Sequence, residues 1–322
     1  MTASGPSAIS RFTVCLPEYP GVEHVGELPS NVSVVWVAEE ADPSTLPNVG
    51  DLDLIVPLQA MRKPIVAALD SASTGRLQVI QTLSAGVDWL VGHVPAHITV
   101  CNARGAFDAP LAEWVVGAIL AMERGLIQSR DLETTRDWTP FEPAEVAGRR
   151  VVILGHGSIG AAIAARLRAF DADVVGVART ARPSEGVVGL DALDELLPTA
   201  DVLVNMLPLS SETRGLLDAR RLALLRDDAL VVNGGRGRTI DAVALLRELD
   251  LGRLRAVLDV TDPEPLPPES PLWSIPNVLI SPHIAGDSAA ATVRTFKIAG
   301  DQIRHFAAGE ELQTQVPRYL LE

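Results

Sequence analysis

Residues 151–160 read VVILGHGSIG, and few stretches leave a chain so little choice of fold. Val151, Val152, Ile153 and Leu154 carry no polar interruption, which suits a strand covered on both faces. The run passes straight into glycines 155, 157 and 160, and beyond it Ile159, Ile163, Leu167 and Phe170 recur at helical spacing. A bare GxGxxG is a weak signal. Between a buried strand and an amphipathic helix, each glycine has a reason. Gly155 makes the tight turn, Gly157 lets the main chain approach a pyrophosphate, and Gly160 lets helix and strand pack closely. The amides at the helix start, with Ser158 and Ile159 in its first turn, and the positive end of the helix dipole favour phosphate. The reading is a dinucleotide site in a wound parallel sheet. His156 occupies the second position, where many side chains fit.

Similar apolar runs recur on both sides. FTVCL (12–16), VSVVWVA (32–38), LDLIVP (52–57), LQVIQTL (77–83) and ITVCN (98–102) read as strands of a first unit. RRVVILG (149–155), ADVVGVAR (172–179), ADVLVNML (200–207), ALVVNGG (229–235), RAVLDV (255–260) and VLISPH (278–283) read as strands of a second, longer one. Helical patterns lie between most of them. The fold class is therefore α/β, with two doubly wound, Rossmann-like parallel sheets. A long helix is expected over 109–126, a polar arm over 131–145, a Pro-rich loop over 262–276 and a last helix over about 287–308.

Charge and composition exclude several functions. Lys and Arg number 27 against 41 Asp and Glu, a formal charge of −14, which repels nucleic acid and anionic lipid. An anionic substrate would have to be held by local cations. The two cysteines, Cys15 and Cys101, stand in strand-like runs and read as buried free thiols of a reducing compartment. No Cys/His cluster suggests a metal. The first residues, MTASGPSAISRF, lack the apolar stretch of a signal peptide, and Trp114–Met122 is too short to span a bilayer. A cytoplasmic protein is expected.

Dinucleotide sites that take NAD usually carry an Asp or Glu about 20 residues past the glycines, where it holds the ribose diol. Here the second strand ends in Arg179, Thr180, Ala181 and Arg182, and no carboxylate lies between Asp173 and Glu185. Two guanidinium groups and a hydroxyl suit a 2′-phosphate, so NADP(H) is favoured over NAD(H). Leu207, Pro208, Gly234 and Gly235, at neighbouring strand ends, are expected to line the same cofactor.

Three further strand ends carry unusual residues. NGGRG (233–237) presents Arg236, LDVTDPEP (258–265) presents Asp259 and Glu264, and SPH (281–283) presents His283. Ligands of open α/β sheets bind outside the carboxyl ends of the strands. An Arg there anchors a carboxylate, a His exchanges a proton with a carbonyl or hydroxyl, and a Glu orients the His and stabilises its charged form.

These segments, with NMLPLSSETRGLLD (205–218), PLWSIPNVLISPHIAG (271–286), SAGVD (84–88) and CNARGAFDAPLAEW (101–114), resemble the D-isomer-specific 2-hydroxyacid dehydrogenases from about residue 50 to 310. The resemblance implies that Arg236, Glu264 and His283 are catalytic and that Asp259 holds the nicotinamide carboxamide. It implies that amides at Ala85, Gly86 and Val87 bind the substrate carboxylate together with Arg236 and His283. It further implies a discontinuous, flavodoxin-like substrate-binding domain, 1–103 with 286–322, a dinucleotide-binding domain, 104–285, and a homodimer formed through the latter.

Within that family, Pro57-Leu58-Gln59 stands where the phosphoglycerate branch has an Arg, Ala85 stands where phosphite-oxidising members have a Lys, and Glu264 stands where formate-oxidising members have Gln. The remaining resemblance is to the NADPH-dependent glyoxylate/hydroxypyruvate reductases. Met61, Arg62, Trp138 and Trp273 are pocket candidates, though each reads first as a packing or surface residue. Trp36, Trp89 and Trp114 read as core or interface residues, and His24, His93, His97 and His305 have no recognisable partner. The alternatives are an NAD-dependent dehydrogenase of another 2-hydroxy acid and a nucleotide-sensing, corepressor-like binding protein on the same fold. The latter needs docking surfaces or disordered extensions, and these residues contain no low-complexity tail.

Overall fold

The computed structural model describes residues 11–42 and 45–322, which fall into two compact units, Met1–Ala106 with Ser288–Glu322 and Phe107–Asp287. In the first, β1 (Phe12–Glu18), β2 (Val32–Ala38), β3 (Leu54–Ile55), β4 (Val79–Gln81) and β5 (Thr99–Cys101) form a parallel sheet of order β2-β1-β3-β4-β5. This is the flavodoxin-like order. Alternation along β1 sends Cys15 to one face, with Ile55, Ile80 and helix α1 (Arg62–Asp70), and Val14 and Leu16 to the other. Both thiols, Cys15 and Cys101, are buried and free, and burial pushes each up to about 12.

In the second unit, helices α2 (Asp108–Glu123), α3 (Leu126–Thr135), α4 (Ser158–Arg168), α5 (Leu193–Leu196), α6 (Ala219–Leu224) and α7 (Ala242–Asp250) accompany β6 (Arg150–Leu154), β7 (Asp173–Ala178), β8 (Val187–Gly189), β9 (Val202–Asn205), β10 (Leu230–Asn233), β11 (Arg255–Leu258) and β12 (Val278–Ile280). The parallel sheet has the order β12-β11-β10-β9-β6-β7-β8. Winding reverses between β6 and β9, so the glycine-bearing strand stands at the switch point. Val151 and Ile153 pack toward α2 and α4, while Val152 and Leu154 pack toward α6 and α7. The continuous apolar strands thus have the two covered faces their pattern demands.

The last helix, α8 (Ala289–Ala308), belongs to the first unit, where Phe296, Ala299 and Ile303 pack against Val14 and Leu16. A Cβ at Gly300 would stand 2.1 Å from the Val25 carbonyl oxygen, so only glycine admits that approach. Among the described residues no helix is long and apolar enough to cross a membrane, and no group of His, Cys, Asp and Glu is arranged to hold a metal ion.

Some expectations are corrected. The helix expected over 109–126 breaks at Gly125, whose φ of 62° starts α3, and the Phe141 ring fills the space beside it. Helix therefore reaches Thr135, inside the stretch read as an arm. β8 is an additional short strand. Phe170 lies beyond the end of α4 and is exposed, because only Ile163 and Leu167 of the apolar row are fully buried. Trp36 is 51 % exposed on the edge strand β2, so it is not a core residue.

Candidate active site

The glycine loop has the shape its spacing predicts. Gly155 takes φ +101°, and a Cβ there would meet the Met206 carbonyl at 2.7 Å. A Cβ at Gly160 would meet the Gly155 oxygen at the same 2.7 Å, which is the close helix–strand packing. A Cβ at Gly157 would meet nothing within 4 Å, so the main chain is bare on that side. Gly157 caps α4 without any side-chain bond to the helix start, while Ser158 Oγ donates to Asp108 Oδ1 at 3.1 Å. Ile159 packs, partly buried, on the α2 side of the sheet. A bare turn, uncapped amides and the dipole make a cradle that fits a pyrophosphate. Leu207 and Pro208 leave β9 beside it. A Cβ at Gly235 would stand 2.8 Å from the Leu207 oxygen, and one at Gly234 3.3 Å from Met206 Sδ, so these loops touch.

His156 is not the free position the motif suggests. It is 5 % exposed, and its ring lies where a Cβ of Gly176 would be, 2.4 Å from Nδ1. The signal was in the sequence as a glycine inside strand β7, which marks a close approach. Nδ1 has no hydrogen-bond partner. Burial, then the Arg182 and Arg168 charges, lower the ring from its ordinary 6.5, against a smaller opposing pull from Glu185. The sign of the linkage follows. Below 6.5 the unfolded chain takes a proton that the folded chain refuses, so stability falls with pH until the folded value is reached. His156→Phe is expected to keep the fold at neutral pH and to remove up to about 1.4 kcal/mol of loss per pH unit in that window. Melting curves of both proteins from neutral pH downward check it, and parallel declines would refute it.

Beyond β7, Arg179 pairs with Glu212 at 2.6 Å and Thr180 is exposed. Arg182 donates to Glu185 at 2.8 Å and to the His156 carbonyl at 2.7 Å.

The other residues leave the neighbouring strands β10, β11 and β12. A buried polar network underlies Arg236. Asn205 Nδ2 donates to Asn233 Oδ1 at 3.0 Å and to Thr239 Oγ1 at 2.7 Å, and Thr239 Oγ1 donates to the Arg236 carbonyl at 2.6 Å. Asn205 and Asn233 end neighbouring strands, and only their pairing in the sheet gives them this role. The Arg236 guanidinium also holds its neighbour's carbonyl, Gly235 O, at 2.7 Å. Thr261, in the next loop, presses on Gly237, where a Cβ would stand 2.0 Å from the Thr261 oxygen.

His283 takes φ 53°, a left-handed backbone that His adopts more readily than most residues. Its amide donates to the Asp259 carbonyl at 2.9 Å. The Asp259 carboxylate, 3 % exposed, accepts Ser281 Oγ at 2.6 Å, the Ile284 amide at 2.9 Å and the Ala285 amide at 3.0 Å. Three donors from one turn lock the histidine's conformation. A carboxylate takes about four such bonds. His283 Nδ1 is hydrogen-bonded to Glu264 Oε1. A carboxylate only accepts, so Nδ1 carries a proton and Nε2 is the atom left to exchange one.

In the first unit, the loop at Ala85, Gly86 and Val87 follows β4. It is shaped by Ser84 Oγ on the Gly86 carbonyl at 2.7 Å and Asn102 Nδ2 on the Ala85 carbonyl at 2.8 Å. Met61 is a core residue, Arg62 lies 5.4 Å over the Trp89 ring, Trp138 is 96 % exposed and Trp273 donates to the Pro267 carbonyl. These contacts account for Met61 and Arg62 as packing.

A dinucleotide cradle beside a carboxylate-held imidazole is the equipment of an oxidoreductase working between alcohol and carbonyl carbons. Residues 116–285 match the model of D-isomer specific 2-hydroxyacid dehydrogenase, NAD binding domain. The glyoxylate reductase of Thermofilum pendens is 31 % identical over 295 residues, covering 86 % of this chain and 86 % of that protein. A D-isomer specific 2-hydroxyacid dehydrogenase family protein from Aeromonas salmonicida superimposes with a TM-score of 0.81 at 31 % identity, over 96 % of this chain and 99 % of its own. The NADPH-dependent glyoxylate/hydroxypyruvate reductase of Sinorhizobium meliloti, solved with NADP and sulfate, gives 0.82 at 27 % identity, over 97 % and 100 %. The chain belongs to the D-isomer specific 2-hydroxyacid dehydrogenase family, and is an NAD(P)-dependent oxidoreductase acting on CH–OH groups.

Proposed function

We propose that this enzyme reduces glyoxylate or hydroxypyruvate to the corresponding 2-hydroxy acid with NADPH. The His283–Glu264 bond carries the reading, because it leaves one imidazole nitrogen free to serve as an acid. The Thermofilum and Sinorhizobium relatives, named for these substrates, support the substrate class. Arg179 and Thr180, a guanidinium and a hydroxyl that match a phosphate, support the cofactor.

Gly155, Gly157, Gly160 and the α4 amides would hold the pyrophosphate, and Asp259 would hold the carboxamide. A bound nicotinamide would supply the hydride for the 2-oxo carbon. Arg236 engages the substrate carboxylate and carbonyl oxygens and draws charge toward the carbonyl oxygen, in the manner of an oxyanion site. His283 donates its Nε2 proton to that oxygen. Glu264 holds the ring by Nδ1 and balances its charge before the transfer.

The enzyme acts in the cytoplasm as a homodimer. Buried free thiols support the first, and the exposed Trp138 beside α3, which buries no residue, supports the second. Initial rates with NADPH and NADH, each against glyoxylate, hydroxypyruvate, pyruvate and a bulky aromatic 2-oxo acid, test the proposal. NADPH with the two small acids is expected to be fastest by about tenfold or more. Faster turnover with NADH or with the aromatic acid would refute it.

A further inference from the structure

The two arginines beyond β7 do different work, and the difference points to a residue on the opposite flank of the glycine loop. Arg182 is a brace. One of its bonds goes to the carbonyl of His156 and another to Glu185, three residues on, so it ties its own loop to the glycine turn. Moving it would uncover a main-chain acceptor. Arg179 instead reaches a side chain on another loop, Glu212, at 2.6 Å. Their side chains are 49 % and 64 % exposed, and exposed pairs cost little to open.

The backbone that carries Glu212 is held in place. Its loop is pinned by Thr213 Oγ1, which donates to the Pro208 carbonyl at 2.7 Å and accepts the Ser210 amide at 2.8 Å. This loop follows β9, whereas Arg179 follows β7. Both strands flank β6, and their ends lie level with it, since Leu154 pairs with Val177 on one side and Asn205 on the other. The ion pair therefore links the two loops on either side of the glycine turn. The adenosine half of a dinucleotide rests outside these strand ends.

We propose that Glu212 is a specificity-determining residue that holds Arg179 in an exchangeable pair, which a 2′-phosphate displaces and a 2′-hydroxyl does not. A phosphate gives the guanidinium a more highly charged, fork-matched acceptor in place of one carboxylate. A ribose hydroxyl gives it nothing to exchange for, and the pair stays closed. Glu212 thus competes with the phosphate for Arg179 and tempers the preference for the phosphorylated cofactor. The inference rests on the NADPH reading above.

Direct binding separates the two. The protein is titrated calorimetrically with adenosine 2′,5′-bisphosphate and with adenosine 5′-monophosphate, as wild type, Glu212→Gln, Arg179→Gln and the double variant. Wild type is expected to prefer the bisphosphate. Glu212→Gln is expected to widen that preference by about threefold to fivefold, through tighter bisphosphate binding. Arg179→Gln is expected to cut it by about tenfold or more, and Glu212→Gln is expected to add nothing in that background. If wild type prefers the bisphosphate and Glu212→Gln leaves the ratio unchanged, the proposed competition is wrong and the cofactor reading stands. If wild type binds both alike and Arg179→Gln changes neither, the cofactor reading falls and this inference with it.

Discussion

Replacing His283 by Ala is expected to lower turnover by about three orders of magnitude while leaving the cofactor dissociation constant within about threefold of the parent. The nitrogen bonded to Glu264 is committed, which leaves the other for the proton transfer proposed above. Alanine alone is an imperfect test, because His283 stands at φ 53° and an alanine there adds backbone strain. Asn tolerates that region and has no titratable proton. His283→Asn should therefore lose as much turnover as His283→Ala, with the melting temperature closer to the parent. Glu264→Gln keeps a hydrogen bond to Nδ1 but removes the charge, and should fall between. The readouts are stopped-flow turnover and cofactor fluorescence titration. Near-parental turnover in either His283 variant would remove the acid role.

Gly237→Ala is expected to damage stability and activity together. Its Cβ would stand 2.0 Å from the Thr261 oxygen and 2.2 Å from the Thr261 carbon, and neither is a side chain that can turn away. The loops after β10 and β11 must part. That moves Arg236 on one side and Glu264 on the other. A cost of about 2–3 kcal/mol in a denaturant titration is expected. A loss of about 100-fold in kcat/KM is expected at temperatures where the variant is folded. Gly157→Ala is the contrast. Its Cβ meets no protein atom, so stability should hold and only the cofactor KM should rise. A Gly237→Ala enzyme with normal stability and kinetics would show that these loops do not need their present contact.

Much of this protein is legible in its sequence because the signals are local. Val151–Leu154, the three glycines and the apolar row after them follow one another within the reach of a single strand, turn and helix, and the fold has them as read. The parallel class follows from strands with no polar face. Arg236, Glu264 and His283 stand out as candidates because each lies in a loop that follows a strand, where a wound sheet presents side chains to a ligand.

What only the tertiary structure decided lies between residues far apart in the chain. His156 reads as a free loop position until β7 brings Gly176 beneath its ring. Arg179 reads as a guanidinium suited to a 2′-phosphate until winding around β6 sets it against Glu212, 33 residues away. Asp259 reads as a cofactor ligand, and the fold makes it first the anchor of the turn that holds His283. Gly125 breaks a helix that its neighbours would continue, because Phe141 packs against it. Patterns along the chain record which face of an element is buried. Which side chain meets which across neighbouring strands is set by strand order and register, and those appear once the sheets are assembled.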